Sequence, residues 1–241
     1  MVKVSVVFPV YNCMKYFQEA MESILKQTFK DFEVIIRDDG SNDGTEKVIN
    51  TYTQMPNIKL INYPTNTGLT ESVNEGIRKA VGEYIAIQHA DDISLPSRLE
   101  KQVQYLDTHP DIELVASWVQ YINRNGKNKR DDWWLKQAKS VPDDPILICD
   151  KLLEINCIFS PTVMFRKRII DTVGFYDPDA WPAEDYDYWL RISEVHNIGM
   201  IQEVLYHYRQ HPQQGTRTVN MKYIKTKATE AVQKAKKRRG L

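Results

Sequence analysis

The chain has 241 residues, of which 42% are hydrophobic and 27% are charged, and its formal net charge is zero. This composition is typical of a globular protein and excludes a disordered or collagen-like chain. No apolar run reaches 18 residues and the amino terminus lacks a signal-type apolar segment, so we expect a soluble cytoplasmic protein that is at most peripheral on the inner face of a membrane.

The first ninety residues alternate predicted strands with predicted helices. Short β-branched runs predict buried strands at residues 4–10, 32–37, 58–62 and 84–88. Apolar residues at helical spacing predict helices between them, at residues 16–27, 44–53 and 70–81. This alternation favours an α/β fold with a mostly parallel sheet and helices on both faces, in which ligands bind at the carboxyl ends of the strands.

The pattern is less regular after residue 95. It predicts helices at residues 96–108 and 185–193 and strands at residues 114–122 and 161–166. Residues 123–144 are polar and predict a loop, in which Trp133 and Trp134 stand side by side. These two side chains could stack on a sugar ring or contact a membrane interface, and plain packing is equally expected.

The carboxyl-terminal segment is strongly basic. Residues 217–241 carry a net charge of +8, whereas residues 1–216 carry −8. Apolar residues recur every three or four positions in this tail, which predicts a basic amphipathic helix that either packs on the body or contacts an anionic membrane. The acidic body lacks a basic patch with interleaved aromatic residues, so we expect no nucleic-acid partner.

Three pairs of adjacent acids flank predicted elements near one edge of the predicted sheet. Each pair alone could be a solvated turn or a helix cap. Three such pairs on one rim would repel one another unless a divalent cation or hydrogen-bond donors lay between them. A hard cation held by few carboxylates completes its shell with phosphate oxygens, which points to a nucleotide diphosphate. The pairs are Asp38 with Asp39, Asp91 with Asp92, and Glu184 with Asp185.

Six ordered motifs closely resemble those of family 2 glycosyltransferases, which have the GT-A fold. The resemblance covers residues 3–211 and implies a metal-dependent, inverting transfer of a sugar from a nucleotide diphosphate, with UDP-sugar as the expected donor, in glycan or polysaccharide biosynthesis. The motifs are PVYN (9–12), DDGSNDGT (38–45), NTG with SVNEGI (66–77), GEYIAIQHADD (82–92), PTVMFRK (161–167) and AEDYDYWLR (183–191).

The resemblance implies a binding site for the nucleotide sugar. Asp39 matches the carboxylate that accepts a hydrogen bond from the base, and Asp91 matches a residue that faces the ribose. Uracil and guanine both carry a suitable ring N–H donor, so the base is left open. The other residues that the resemblance assigns to this site are Pro9, Val10, Tyr11, Asn12, Asn74 and Ala90.

The resemblance also implies the metal ligands and the catalytic base. Asp92 matches the ligand of Mn²⁺ or Mg²⁺, and His211 is a second candidate ligand whose alternative is a surface histidine. Asp185 matches the general base, with Glu184 beside it. The base accepts the proton of an acceptor hydroxyl as that hydroxyl attacks the sugar, and such a base must lie within hydrogen-bond reach. The expected acceptor is a carbohydrate or a lipid-linked glycan.

Two positions depart from the family pattern. Val73 stands where many members carry an arginine near the pyrophosphate, and Ser160 stands where many carry a histidine. These departures keep open a nucleotide-sugar-binding protein with weakened catalysis. A sugar-1-phosphate nucleotidyltransferase is also an alternative, but it would need a Gly-rich basic loop after the first strand.

The expected organisation is one catalytic domain and a tail. Residues 1–216 form the GT-A domain, with a nucleotide-binding half at 1–110 and an acceptor half at 111–216. Residues 217–241 form the basic helical tail.

Overall fold

The computed structural model describes residues 2–241 and contains one mixed sheet surrounded by helices. Its strands are β1 (Val4–Val10), β2 (Phe32–Asp38), β3 (Ile58–Asn62), β4 (Tyr84–Ile87), β5 (Ile93–Ser94), β6 (Ile112–Asn123), β7 (Met164–Arg166) and β8 (Asn197–Gln210). Its helices are α1 (Phe17–Leu25), α2 (Thr45–Asn50), α3 (Leu69–Lys79), α4 (Arg98–Thr108), α5 (Trp133–Lys139), α6 (Pro145–Leu152), α7 (Ile169–Val173), α8 (Glu184–Ile192), α9 (Gly215–Thr218) and α10 (Met221–Arg238).

The sheet has the strand order β3-β2-β1-β4-β7-β6-β8-β5 across the described residues. The pairings among β1, β2, β3 and β4 are parallel, and so is the pairing of β6 with β8. Strand β7 runs antiparallel to both of its neighbours, and β5 runs antiparallel to β8. The α/β prediction is confirmed, with parallel pairing concentrated in the first half of the chain.

The parallel half follows its sequence closely. Every residue of β1, β2 and β4 is buried, as expected for parallel strands that are covered by helices on both faces. Each of these strands therefore forms a short, mostly apolar run in the sequence, which is why the sequence predicted it. Helices α1, α2 and α3 lie between the strands within a few residues of the predicted bounds.

The second half differs from the prediction in two places. The segment at 123–144, predicted as a loop, contains helix α5, which Asp132 caps by accepting a hydrogen bond from the Leu135 amide at 2.9 Å. Strand β8 was not predicted at all. Its burial does not alternate, because register shifts against β6 at Ser117 and Trp118 break the period of two.

The basic tail forms α10, which packs on α8. Ala231 and Ala235 are buried in this contact, and Arg238 pairs with Glu194 at 2.7 Å. The prediction of an amphipathic helix is confirmed, and its small apolar face is used inside the protein. None of the helices in residues 2–241 is long and apolar enough to cross a membrane.

Candidate active site

A pocket of about 690 Å³ opens at the carboxyl ends of β1, β2 and β4. Its wall is built from loops that follow these strands and from the segment after β8. The predicted site residues that line it are Pro9, Val10, Tyr11, Asn12, Asp39, Ala90, Asp91 and His211. The topology therefore brings together residues that are far apart in sequence, as expected at the ligand edge of an open α/β sheet.

The loop after β1 is locked to the loop after β2. The Asn12 side chain accepts a hydrogen bond from the Asn42 amide at 2.8 Å, and the Asn12 amide donates to the Ser41 hydroxyl at 2.9 Å. Asn12 has a φ of 47°, an uncommon backbone conformation for a residue other than glycine. Such local strain is typical of binding loops that the surrounding structure holds in place.

Asp39 lies in the pocket wall with its carboxylate held by several donors. Oδ1 accepts hydrogen bonds from the Thr67 amide at 2.8 Å, from the Thr67 hydroxyl at 3.0 Å and from the Arg37 guanidinium. Oδ2 accepts one from the Gly68 amide at 2.8 Å. Burial alone would raise the pKa of Asp39, but these donors outweigh it and hold the pKa below its usual value.

His89, Asp91 and Asp92 form a compact cluster beside the pocket. One potential ligand atom from each residue lies within 4.8 Å of the others. Asp92 is buried, and its Oδ2 makes no well-formed hydrogen bond with any described residue. Burial, and then the charge of Asp91, raise the pKa of Asp92 well above its usual value, although the Arg209 amide and the nearby Tyr206 hydroxyl oppose the shift.

The unpredicted strand β8 supplies the donors that hold this cluster. The Arg209 amide donates to Asp92 Oδ1 at 2.7 Å, and the Arg209 guanidinium donates to the Asp91 carbonyl at 2.7 Å. His211 Nε2 lies 2.9 Å from Asp91 Oδ2. The Tyr16 ring packs against both Arg209 and His211. In the sequence, the LYHYRQH segment (205–211) indicated His211 as a candidate ligand but gave no indication of the role of Arg209.

Glu184 and Asp185 begin helix α8, away from the donors that hold the first cluster. Burial, and then the charge of Asp185, raise the pKa of Glu184 to about 8, and its Oε2 has no hydrogen-bond partner among the described residues. Burial raises the pKa of Asp185 to about 6. Asp185 Oδ1 accepts hydrogen bonds from the Tyr186 amide at 2.6 Å and from the Asn156 side chain at 3.4 Å. At neutral pH, Asp185 is therefore the ionised member of the pair.

Aromatic side chains extend from the pocket towards the segment that carries Asn156. Tyr208 lines the pocket, and its ring lies 5.5 Å from that of Phe159. Phe159 follows Asn156, which contacts Asp185 and whose carbonyl accepts a hydrogen bond from the Trp134 indole at 2.9 Å. Trp134 is thus partly committed to packing, while Trp133 is 66% exposed at the start of α5.

Four predicted site residues do not line the pocket in the described part of the chain: Asn74, Asp92, Glu184 and Asp185. Asp92 is almost completely buried, and Asp185 is half-buried at the start of α8. Asn74 is buried in α3, where its side chain exchanges hydrogen bonds with the Tyr176 backbone at 2.9 and 3.0 Å. A long-range backbone partner therefore engages the amide of Asn74, and its assignment to the nucleotide-sugar site stays a prediction.

The family model for glycosyl transferase family 2 matches residues 5–186. The chain belongs to this family. It is 36% identical over 214 residues to an uncharacterized glycosyltransferase of Methanocaldococcus jannaschii, with 86% of this chain and 70% of that protein covered. It is also 36% identical over 214 residues to the O-antigen biosynthesis glycosyltransferase WbnJ of Escherichia coli, with 86% and 80% covered.

Solved structures share the GT-A fold with this family member. Staphylococcus aureus TarS in complex with UDP-GlcNAc has a TM-score of 0.76 at 22% identity, with 91% of this chain and 62% of that chain covered. The mannosyltransferase PcManGT of Pyrobaculum calidifontis, in complex with GDP-Man and Mn²⁺, has a TM-score of 0.68 at 20% identity, with 88% and 58% covered. The chain thus spans about 60% of the length of these solved chains.

Proposed function

We propose that this chain is a metal-dependent inverting glycosyltransferase that moves a sugar from a nucleotide diphosphate, UDP-sugar in our proposal, to a hydroxyl acceptor in glycan or polysaccharide biosynthesis. The observation that carries the proposal is the pocket, which places Asp39 and the PVYN loop on the same wall as Asp91. A carboxylate that can bind a base and a cluster that can bind a metal, both lining one cavity, fit a nucleotide diphosphate.

The donor would lie along the wall formed by Pro9, Val10, Tyr11 and Asn12. Tyr11 is 47% exposed and offers a ring on which a base can stack. Val73 is buried in the core and cannot replace the missing arginine. Lys15 lines the pocket, and we assign it to the diphosphate.

The His89–Asp91–Asp92 cluster fits a divalent cation, because Asp92 Oδ2 and His89 Nε2 are both buried without hydrogen-bond partners among the described residues. We propose Asp92 as a ligand of Mn²⁺ or Mg²⁺, as the sequence predicts. We extend the ligand set to His89 and to Asp91, which the resemblance assigns to the ribose. His211 lies against Asp91 and is either a further ligand or the group that orients that carboxylate. When bound, the cation would offset negative charge on the departing diphosphate.

Asp185 is proposed as the general base. It would accept the proton of the acceptor hydroxyl as the hydroxyl oxygen bonds to the anomeric carbon and the bond to the diphosphate breaks, which inverts that carbon. Burial supports this role, because a carboxylate with a pKa of about 6 is ionised at neutral pH and yet is more basic than an exposed aspartate. With a pKa of about 8, Glu184 is protonated at neutral pH, so it would add no second negative charge beside Asp185 where the acceptor binds.

The acceptor is proposed to be a carbohydrate or a lipid-linked glycan, and for a lipid-linked acceptor the protein, which we propose to be cytoplasmic, would have to reach a membrane surface. The side of α10 away from Ala231 and Ala235 carries exposed lysines, and the one acid of this helix, Glu230, pairs with Lys227 at 3.2 Å. These lysines are Lys222, Lys225, Lys236 and Lys237. Since the apolar side is packed on α8, we propose a purely electrostatic, salt-sensitive contact with anionic lipid.

Vesicle sedimentation tests this contact. The chain should sediment with vesicles that contain anionic phosphatidylglycerol, and not with neutral phosphatidylcholine vesicles, at low salt. Replacing the four outer lysines with glutamine should abolish sedimentation, whereas a control with the same change in charge should retain it. The control replaces Lys30, Lys47, Lys79 and Lys127, which are exposed elsewhere.

The enzymatic proposal is tested by calorimetric titration of UDP with and without Mn²⁺, followed by a transfer assay with a panel of nucleotide sugars. We expect Mn²⁺ to strengthen UDP binding and at least one UDP-sugar to be hydrolysed or transferred with inversion. Absence of binding by every nucleoside diphosphate, with or without the cation, would refute the proposal.

A further inference from the structure

Arg37 is a fully buried cation directly beneath the pocket wall. It is the next-to-last residue of strand β2, two residues before Asp39, and lies between Ile36 and Asp38. A buried guanidinium has to satisfy its five N–H donors and its charge inside the protein. The partners of Arg37 therefore show which side chains it holds in place.

Three hydrogen-bond partners and one aromatic ring surround the Arg37 guanidinium. One Nη donates to Asp39 Oδ1, the other donates to the Thr67 hydroxyl at 2.7 Å, and Nε faces Glu75 Oε2 at 3.4 Å. The guanidinium also stacks 3.9 Å from the centroid of the Tyr63 ring, whose hydroxyl donates to Glu75 at 2.9 Å. The arrangement fixes both the charge and the orientation of the Asp39 carboxylate.

The two oxygens of Asp39 are left in different states. A carboxylate oxygen has about two lone-pair sites. Oδ1 receives three donors, from Arg37, the Thr67 amide and the Thr67 hydroxyl, which share its two sites and leave none for a ligand. The Thr67 hydroxyl can give its hydrogen to Oδ1 because it accepts from Arg37 at the same time. Oδ2 receives only the Gly68 amide and keeps one free site.

We propose that Arg37, acting with Thr67, makes Asp39 a single-acceptor site and so selects a nucleobase with one ring N–H and no adjacent amino donor. Uracil and thymine present one N–H between two carbonyl groups and match this site. Guanine presents a ring N–H next to an amino group and requires both carboxylate oxygens. Adenine and cytosine place a ring acceptor where the ring N–H is needed.

This inference rests on the proposed nucleotide-sugar function and specifies its donor. Solved structures of the same fold hold either a uridine or a guanosine nucleotide, so the fold does not decide the base. Arg37 and Thr67 act on the base through Asp39, and they are positioning residues. Their effect should appear in the ratio of affinities between bases and not only in affinity itself.

A matched pair of purines tests the inference without any mutation. Inosine diphosphate has the ring system and ring N–H of GDP but lacks the amino group. Calorimetric titration of the wild-type chain with UDP, inosine diphosphate and GDP in the presence of Mn²⁺ should rank them in that order. Because GDP would bury an amino group without an acceptor, we expect it to bind roughly tenfold or more weakly than inosine diphosphate. A tighter or equal affinity for GDP would overturn the inference while leaving the proposed function intact.

Variants separate selection of the base from simple support of the fold. In Thr67→Val, two donors still fill Oδ1, so the preference for inosine diphosphate over GDP should persist. In the double variant Arg37→Met with Thr67→Val, Oδ1 keeps only one donor and the preference should fall to about unity. Thr229→Val, on the exposed side of α10, is the control for the valine substitution.

The possible outcomes are distinct. A folded double variant that loses affinity for all three nucleotides equally would show a merely structural role and contradict the inference. If circular dichroism shows that the double variant is unfolded, the wild-type ranking of inosine diphosphate against GDP decides alone. If no nucleoside diphosphate binds to the wild-type chain, the proposed function itself fails.

Discussion

Two pairs of adjacent carboxylates in this protein differ in the groups that surround them. Asp91 and Asp92 are held by the Arg209 backbone and by His211, and they share their site with His89. Glu184 and Asp185 have no lysine or arginine as an ion-pair partner within the described residues, and apolar packing surrounds them at the start of α8.

The difference shows two ways in which a fold tolerates neighbouring like charges. The first pair keeps a site that a cation can fill, because one buried oxygen lacks a donor. The second pair reduces its charge by retaining a proton on Glu184 at neutral pH. We expect substitutions at the two pairs to have different consequences, of decreasing size in the order that follows.

Asp185→Asn should cause the largest change, because it removes the proposed base. We expect the rate of sugar transfer to fall by roughly 10²- to 10⁴-fold while UDP binding is unchanged. The wild-type rate should rise as pH increases through about 6, where Asp185 loses its proton. Asp179→Asn, at an exposed position, serves as the control. Retained turnover in Asp185→Asn would remove this residue as the base.

Asp92→Asn should act on the first pair through the cation. It replaces one oxygen of the proposed ligand with an amide, so we expect Mn²⁺ to lose most of its effect on UDP binding, about 10- to 100-fold in affinity. Titration of UDP with and without Mn²⁺ measures this loss. Equal strengthening by Mn²⁺ in the variant and the wild type would show that Asp92 is not a ligand.

Glu184→Gln should affect stability in a pH-dependent manner. The folded protein holds the pKa of Glu184 at about 8, above its ordinary 4.5, so ionisation of this group costs stability increasingly as pH rises between these values. Glutamine cannot ionise. The gain in the free energy of unfolding should therefore be small at pH 5 and reach about 2 kcal/mol or more at pH 8.5.

Urea denaturation at both pH values measures this difference. Glu71→Gln, which removes an exposed ion pair with Arg78, is the control and should change stability by less than about 1 kcal/mol at either pH. A gain that does not grow with pH would mean that Glu184 is ionised at little cost.

Asn156→Ala should give the smallest change. Its amide donates to Asp185 Oδ1 at 3.4 Å, a long contact that lowers the pKa of the base slightly. Without it, the acid side of the pH–rate profile should move to higher pH. Rates measured between pH 5 and 8 check this, and an unchanged profile would show that Asn156 does not act on the base.

The parallel half of the fold was accessible from sequence because its strands are apolar throughout. Strands β1, β2 and β4 therefore delivered Asp39 and Asp91 to one edge without further information. The second half was less accessible. Strand β8 mixes buried and exposed positions irregularly, and its contacts with the Asp91–Asp92 pair span more than a hundred residues.

Individual side chains explain the other limits of prediction. In the sequence, Arg37 is a polar residue near the end of a predicted strand. Its hydrogen bonds to Thr67 and Glu75 became evident only from the fold. Asn74 matched a family motif, but the Tyr176 backbone engages its amide. In both cases a partner distant in sequence decides whether a polar side chain faces a ligand or the protein interior.

Strand β8 also sets the order in which the protein can mature during synthesis. The PVYN loop and Asp39 are made early and contact one another within the first 70 residues. Arg209 and His211 reach Asp91 and Asp92 only after nearly the whole chain has left the ribosome. The nascent chain can therefore form the contacts around Asn12 and Asp39 well before it can complete those of the His89–Asp91–Asp92 cluster.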